Sequence, residues 1–136
     1  MAIDWTRLYP LFARQLGHLV GLLGQHGLKM RGTEGYRSPE RQADLYAKGR
    51  TAPGNIVTNA KPGTSAHQWG CAVDMVFLTE GGKPTYEGDW DRFGALVEQV
   101  GLVWGGHFKS IKDRPHLEYK DWRRVKAAGW RPPKET

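Results

Sequence analysis

Apolar side chains return at three- and four-residue steps between Trp5 and about Gln25, at Leu8, Leu11, Phe12, Leu16, Leu19, Val20 and Leu23. That period lays a single stripe along a helix, so the segment reads as an amphipathic helix with Asp4 as its N-cap and Gly27 as its stop. Leu28 to Glu34 is short enough for a strand running into the turn Gly35-Tyr36-Arg37-Ser38. Ser38 followed by Pro39 marks a helix start, and the spacing predicts a second helix over Pro39 to Lys48. Thr51 to Thr64 is crowded with Pro, Gly and Asn and predicts loop. Ala72 to Leu78, rich in Val and Phe, predicts a buried strand, and Gly81-Gly82-Lys83 a hairpin turn. A third helix follows over Asp89 to Val100, with Phe93, Leu96, Val97 and Val100 at helical spacing. Leu102 to Trp104 and Pro115 to Tyr119 read as strands around a Gly- and Lys-rich loop. Asp121 opens a short basic helix that stops at Gly129, and Arg131-Pro132-Pro133 forms a tail. The pattern is α+β: N-terminal helices packed on a small, mostly antiparallel sheet.

With 136 residues the chain fits one domain of ordinary size, so residues 1–136 are expected to form a single unit with no separate binding domain. Lys and Arg number 20 against 14 Asp and Glu, a formal charge of +6, which favours anionic partners. A single cysteine, Cys71, excludes an internal disulfide and any multi-thiolate zinc site. The most apolar run, Leu19 to Leu23, is broken by Gly21 and is neither a signal peptide nor a membrane span. The expected product is a soluble monomer made in the cytoplasm, with no stable membrane insertion.

The residues with most chemical content lie in Ser65-Ala66-His67-Gln68-Trp69-Gly70-Cys71-Ala72-Val73-Asp74 and in Asp113-Arg114-Pro115-His116. A His leaving a loop, an Asp inside the next strand and a second His downstream could converge on one ion, with Gly70 letting the chain turn back. Imidazole and carboxylate suit zinc, and three protein ligands leave a fourth position for water. By spacing alone, ligand and ordinary histidine remain equally open readings.

The order Ser65-x-His67-x-x-Gly70-x-Ala72-x-Asp74, then Asp113-x-x-His116, resembles the two motifs of the zinc peptidases that include D-alanyl-D-alanine carboxypeptidases and phage L-alanyl-D-glutamate endopeptidases. Trp104-Gly105-Gly106 and Gly35-Tyr36-Arg37-Ser38 with Gln42 are similar to the same family, so the likeness spans most of the chain. It implies a zinc site at the sheet and loop edge, with His67, Asp74 and His116 as ligands of Zn2+ and Asp113 as general base. Arg37 would stabilise the oxyanion, its ordinary alternative being a salt bridge that holds the turn. Gln42, Ser65 and Trp104 are assigned to substrate binding. Gln42 could instead orient Arg37 or sit on a solvated helix face, Ser65 steady its loop, and Trp104 sit in the core, the default place for a Trp. His107, which follows the Gly-Gly pair, is left outside the ligand set with a supporting or cleft-lining role, and Cys71 is read as a packing residue.

The resemblance implies a hydrolase acting on peptidoglycan stem peptides, foremost at the L-Ala–D-Glu bond. It would serve endolysin-like wall lysis or wall opening for export, reaching the periplasm or cell wall through a holin-type pore. The alternatives are a D,D-carboxypeptidase or dipeptidase on D-Ala-D-Ala termini and a non-enzymatic zinc-containing binding module. A nucleic-acid binder is disfavoured because no recognised motif accompanies the charge. A muramidase would need a carboxylate partner for Glu34 that the sequence does not identify.

Overall fold

Pro10, not Asp4, opens the first long helix. A proline ring pre-sets the helical φ and lacks the amide hydrogen that would be unpaired at a first position, so α1 runs Pro10–Gln25. Asp4 caps a separate 3-10 turn, Trp5–Arg7, its carboxylate accepting from the Thr6 amide at 3.0 Å. The stripe expected as one helix is therefore two segments. Phe12, Leu16, Leu19 and Leu23 are buried along α1, whereas Leu11 stays half exposed. The structure, a computed structural model, describes residues 3–133; residues 1–2 and 134–136 of the chain lie outside that range.

Strand β1 is Met30–Glu34, and helix α2, Pro39–Ala47, starts where Ser38 Oγ accepts from the Arg41 amide at 3.1 Å. Residues 51–64 carry no helix and no strand beyond an isolated bridge between Lys48 and Ala52. Next come β2 (Ala72–Leu78), β3 (Pro84–Thr85), α3 (Trp90–Gln99), β4 (Val103–Trp104), β5 (His116–Glu118) and α4 (Trp122–Ala127). Among the described residues every strand pairing of the sheet is antiparallel, in the order β1-β2-β5-β4 with β3 on β2.

Alternation along β2 divides the molecule. Val73, Met75 and Phe77 join the main core with α1 and α3, so Asp74 between them projects to the opposite face. A second core of Ala66, Trp69, Cys71, Ala72, Trp122 and Val125 seats α4 against the segment entering β2. Helix α2 buries only Gln42, while α1 and α3 supply the helical side of the main core.

The register sets the site. Asp74 pairs with His116 of β5 and with Glu34 of β1. Glu34, rather than Thr33, stands opposite Asp74 because β1 bulges between Gly32 and Glu34, the extra residue of a bulge shifting the alternation by one. Glu34, Asp74 and His116 thus form a row across three strands.

Trp104 is 4% exposed and lies against α3 at Gly94, where an added Cβ would fall 2.1 Å from the ring atom Cε3. Gly94→Ala gains about 1 kcal/mol of helix propensity. It should nonetheless lower the thermal midpoint by several degrees, because forcing the indole out of a packed core costs about 1–3 kcal/mol or more. Thermal denaturation followed by circular dichroism reads the shift.

Candidate metal centre and catalytic cleft

His67 sits in a 3-10 turn, Ala66–Trp69, that ends at Gly70 with φ 65°. A side chain at Gly70 is excluded twice: by the left-handed backbone, and by Arg7 O, which lies 2.5 Å from where the Cβ would be. The turn carries the chain straight into β2 and brings His67 back beside Asp74. His67 is 2% exposed, and its Nδ1–H donates to Gly35 O at 2.8 Å. That bond commits Nδ1 and leaves Nε2 as the ring atom facing Asp74 Oδ1, at 3.3 Å. His116 Nδ1 lies 3.2 Å from the same oxygen, and its Nε2–H donates to Glu118 Oε1 at 2.7 Å.

One donor atom from each of His67, Asp74 and His116 falls within 4.8 Å of the others. A tetrahedral zinc with bonds of about 2.0–2.1 Å has ligand–ligand edges of roughly 3.3–3.4 Å, which the two His–Asp distances match. The donor chemistry fits as well: two imidazoles, each with its far nitrogen committed to an oxygen acceptor, and one carboxylate. The chain can therefore hold zinc through His67 Nε2, Asp74 and His116 Nδ1.

The charges of the cluster act on one another. Burial alone would raise the Asp74 carboxyl, but the His67 charge and hydrogen bonds from both histidines hold it well below the usual range. Burial would likewise depress His116, yet its hydrogen bonds to Asp74 and Glu118 lift it to about 9. Asp113 lies on the same cleft, open to solvent on one side. Partial desolvation and then the Asp74 charge raise its carboxyl above the ordinary value, against the pull of His116, His67 and Arg37.

Arg37 is 9% exposed and gripped on two sides. Its Nε and Nη2 donate to the two Glu34 oxygens at 2.8 Å each, and Nη1 donates to Gln42 Oε1 at 2.8 Å. Its backbone amide donates to His67 O at 2.9 Å. Gln42 thus lies against the Arg37 guanidinium rather than on a solvated helix face. Gln42 is fully buried, spends its amide on Ala60 O at 2.7 Å, and does not line the cleft. Ser65 does line it, with a hydroxyl that makes no capping bond.

Trp104 departs from its assigned role. It does not line the cleft; it is a core residue whose Nε1–H donates to Arg114 O at 2.7 Å, fixing the 113–116 turn from behind. Gly105 is required in front of it, since a Cβ there would lie 2.3 Å from Asp113 O. His107 is also absent from the cleft wall. It is exposed, pairs with Glu98 at 2.6 Å and packs edge-on against Trp104. Cys71 is fully buried and its thiol is pushed up to about 12, by burial and then by Glu118, so it is inert as a nucleophile.

Two carboxylates were missed by motif reading. Glu34 clamps Arg37 from three residues upstream, and Glu118 supports His116 from two residues downstream. Strand alternation, which puts residues i and i+2 on one face, was the available signal for Glu118. Glu118→Gln should weaken zinc binding about 10- to 100-fold, the usual effect of losing a carboxylate behind a ligating imidazole. Competition against a chromophoric chelator measures it.

The cleft, of about 810 Å³, runs from the residue 57–60 loop past His67, Asp74 and His116 to Lys120 and Arg123. Residues 58–119, which include His67, Asp74, Asp113 and His116, match a family described as D-alanyl-D-alanine carboxypeptidase. The chain is 36% identical over 121 residues to the peptidoglycan L-alanyl-D-glutamate endopeptidase CwlK of Bacillus subtilis (strain 168), covering 82% of this chain and 72% of that one. Its fold is similar to the L-Ala D-Glu endopeptidase ChiX of Serratia marcescens, with a TM-score of 0.62 and 23% identity over 90% of this chain and 87% of that chain. It is also similar to the vancomycin-resistance D,D-pentapeptidase VanY, solved in complex with Zn(II), with a TM-score of 0.62 and 19% identity over 90% and 80% of the two chains.

Proposed function

Because this chain belongs to the D-alanyl-D-alanine carboxypeptidase family of metallopeptidases, we propose that it is a zinc-dependent endopeptidase of peptidoglycan that cuts stem peptides between L-Ala and D-Glu. The observation that carries this reading is the convergence of His67, Asp74 and His116 on one point of a cleft that also holds Asp113 and Arg37. The choice of bond is supported by the 36% identity to an L-alanyl-D-glutamate endopeptidase.

Zinc, when bound, supplies Lewis acidity: it makes water a nucleophile near neutral pH and polarises a carbonyl. Asp113, raised above an ordinary carboxyl, takes the proton of the attacking water and returns it to the leaving amine, so its affinity for that proton suits the task. Arg37 has five N–H donors; three are held by Glu34 and Gln42, and the remaining two serve the developing oxyanion. The Glu34 clamp keeps the guanidinium rigid, so little reorganisation is needed as charge develops. Ser65 hydrogen-bonds the peptide backbone from the cleft wall.

The D,D-carboxypeptidase reading keeps the same residues and changes the bond; the family description and the likeness to VanY favour it. Mass spectrometry of digested muropeptides separates the two. New D-Glu N-termini are expected, and release of terminal D-Ala without them would overturn the bond assignment. We further propose that the protein acts as a monomer in endolysin-like lysis or wall opening, made in the cytoplasm and reaching the periplasm or wall through a holin-type pore. Co-expression with and without a holin tests this: lysis should require the pore, and lysis without it would overturn the route.

A further inference from the structure

The basic C-terminal segment divides on inspection. Lys126 spends its ammonium on Gly63 O, tying α4 to the loop over the cleft, and Arg131 lies 4.1 Å over the Trp69 ring. Lys120 and Arg123 are different: both line the cleft, and neither is paired with an acid among the described residues. On the cleft wall Glu118 is committed to His116 and Glu34 to Arg37, and Asp121 does not line the cleft. The Arg123 guanidinium lies 4.4 Å over the Trp122 ring, and Trp122, 5% exposed, is held in the second core. The arginine is thereby restricted on a rigid platform. Among the other lining residues Thr58, Asn59 and Ala60 are neutral, and the third cleft cation, Arg37, is already neutralised by Glu34. The Lys120 end is thus the one part of the described cleft wall with uncompensated positive charge.

Lys120 follows His116 by four residues, at most about 13 Å of extended chain, a span that about four residues of an extended bound peptide, or fewer with their side chains reaching out, would cover. We propose that Lys120 and Arg123 form a carboxylate subsite that reads a free carboxylate of the stem peptide close to the scissile bond, so that amidation of that carboxylate impairs cleavage. This rests on the stem-peptide reading above. The carboxylate has two possible sources in the same chemistry, the α-carboxylate of D-Glu and the free carboxylate of a diamino acid one residue further on.

Four synthetic stem peptides separate them: both carboxylates free, D-Glu α-amidated, diamino acid amidated, and both amidated. The zinc-loaded enzyme should show kcat/KM about tenfold higher for the peptide whose recognised carboxylate is free, the scale of one charge-assisted contact at a partly exposed site. The arm that loses activity identifies the carboxylate. High salt should shrink the ratio. In the double variant Lys120→Gln, Arg123→Gln the ratio should fall to near one with zinc content retained, whereas Arg123→Lys, which keeps the charge, should keep most of it. Equal cleavage of all four peptides by the unmodified enzyme, or an undiminished ratio in the double variant, overturns the subsite. Product masses report the scissile bond in the same assays: a different bond would sink the bond assignment alone, because the ratio is still read at whichever bond is cut.

Discussion

Asp113→Asn should lower kcat on stem peptides by about 10²- to 10⁴-fold, the range a positioned general base contributes, while zinc content and thermal midpoint stay close to those of the unmodified protein. The amide matches the carboxylate in shape, so the turn that carries it survives. That turn is held by the Asp113 amide on Gly105 O and by Trp104 on Arg114 O, neither of which involves the Asp113 side chain. What disappears is an acceptor for the proton of water. The raised Asp113 carboxyl also bears on the acid limb of the profile: the base works when ionised, so kcat should fall as pH drops through a value above that of an ordinary aspartate, and in Asp113→Asn that limb should vanish. An asparagine variant with near-normal turnover would remove Asp113 from the mechanism.

Removing the metal should abolish activity outright and soften the fold, with both restored by zinc. Three donors from a 3-10 turn, a central strand and a short neighbouring strand meet at the site, so an ion there joins elements that are otherwise joined by packing. At a free concentration a thousand times its dissociation constant, the ion adds about 4 kcal/mol to stability, readable as the midpoint difference between chelated and zinc-restored protein.

The metal-free form has its own pH dependence. The His116 imidazole, lifted to about 9, contributes stability that is fully present below its unfolded value of about 6.5 and is lost as pH rises through about 9. The depressed Asp74 carboxyl acts in the opposite sense: its contribution is present above the unfolded value of about 3.9 and is lost as pH falls through its folded one. Because zinc must displace the His116 proton, its affinity should climb with pH across this interval. Titration of metal-free protein with zinc at a series of pH values checks this. Full activity in the presence of excess chelator would end the metal assignment.

Local chemistry made much of this legible in the sequence. Ser38 caps α2 and Asp89 caps α3 as their residue types demand, and the Val-rich run is β2 with the expected limits. The spacing of His67, Asp74, Asp113 and His116 was readable because each stands within a short motif. What escaped depends on partners far away in the chain. Whether Trp104 faces the cleft or the core is decided by Gly94 of α3, which opens the space its ring fills. Gln42 looks like a surface residue until the 51–64 loop returns to cover it through Ala60. The start of α1 differs from the expected one because an apolar stripe continues through the 3-10 turn that precedes it, and hydrophobic period alone does not register the break at Pro10.

The bulge that brings Glu34 into line with Asp74 and His116 makes the active site intolerant of length changes in a particular place. A deletion that ironed out the bulge would turn Glu34 away, release Arg37 and shift Gly35, whose carbonyl holds the His67 ring, so the proposed oxyanion donor and a proposed zinc ligand would lose their supports together. The residue 57–60 loop and α4 reach the cleft without taking part in that row. Anyone wishing to redirect the enzyme to a different wall peptide would do best to vary those two borders and keep every strand at its present length.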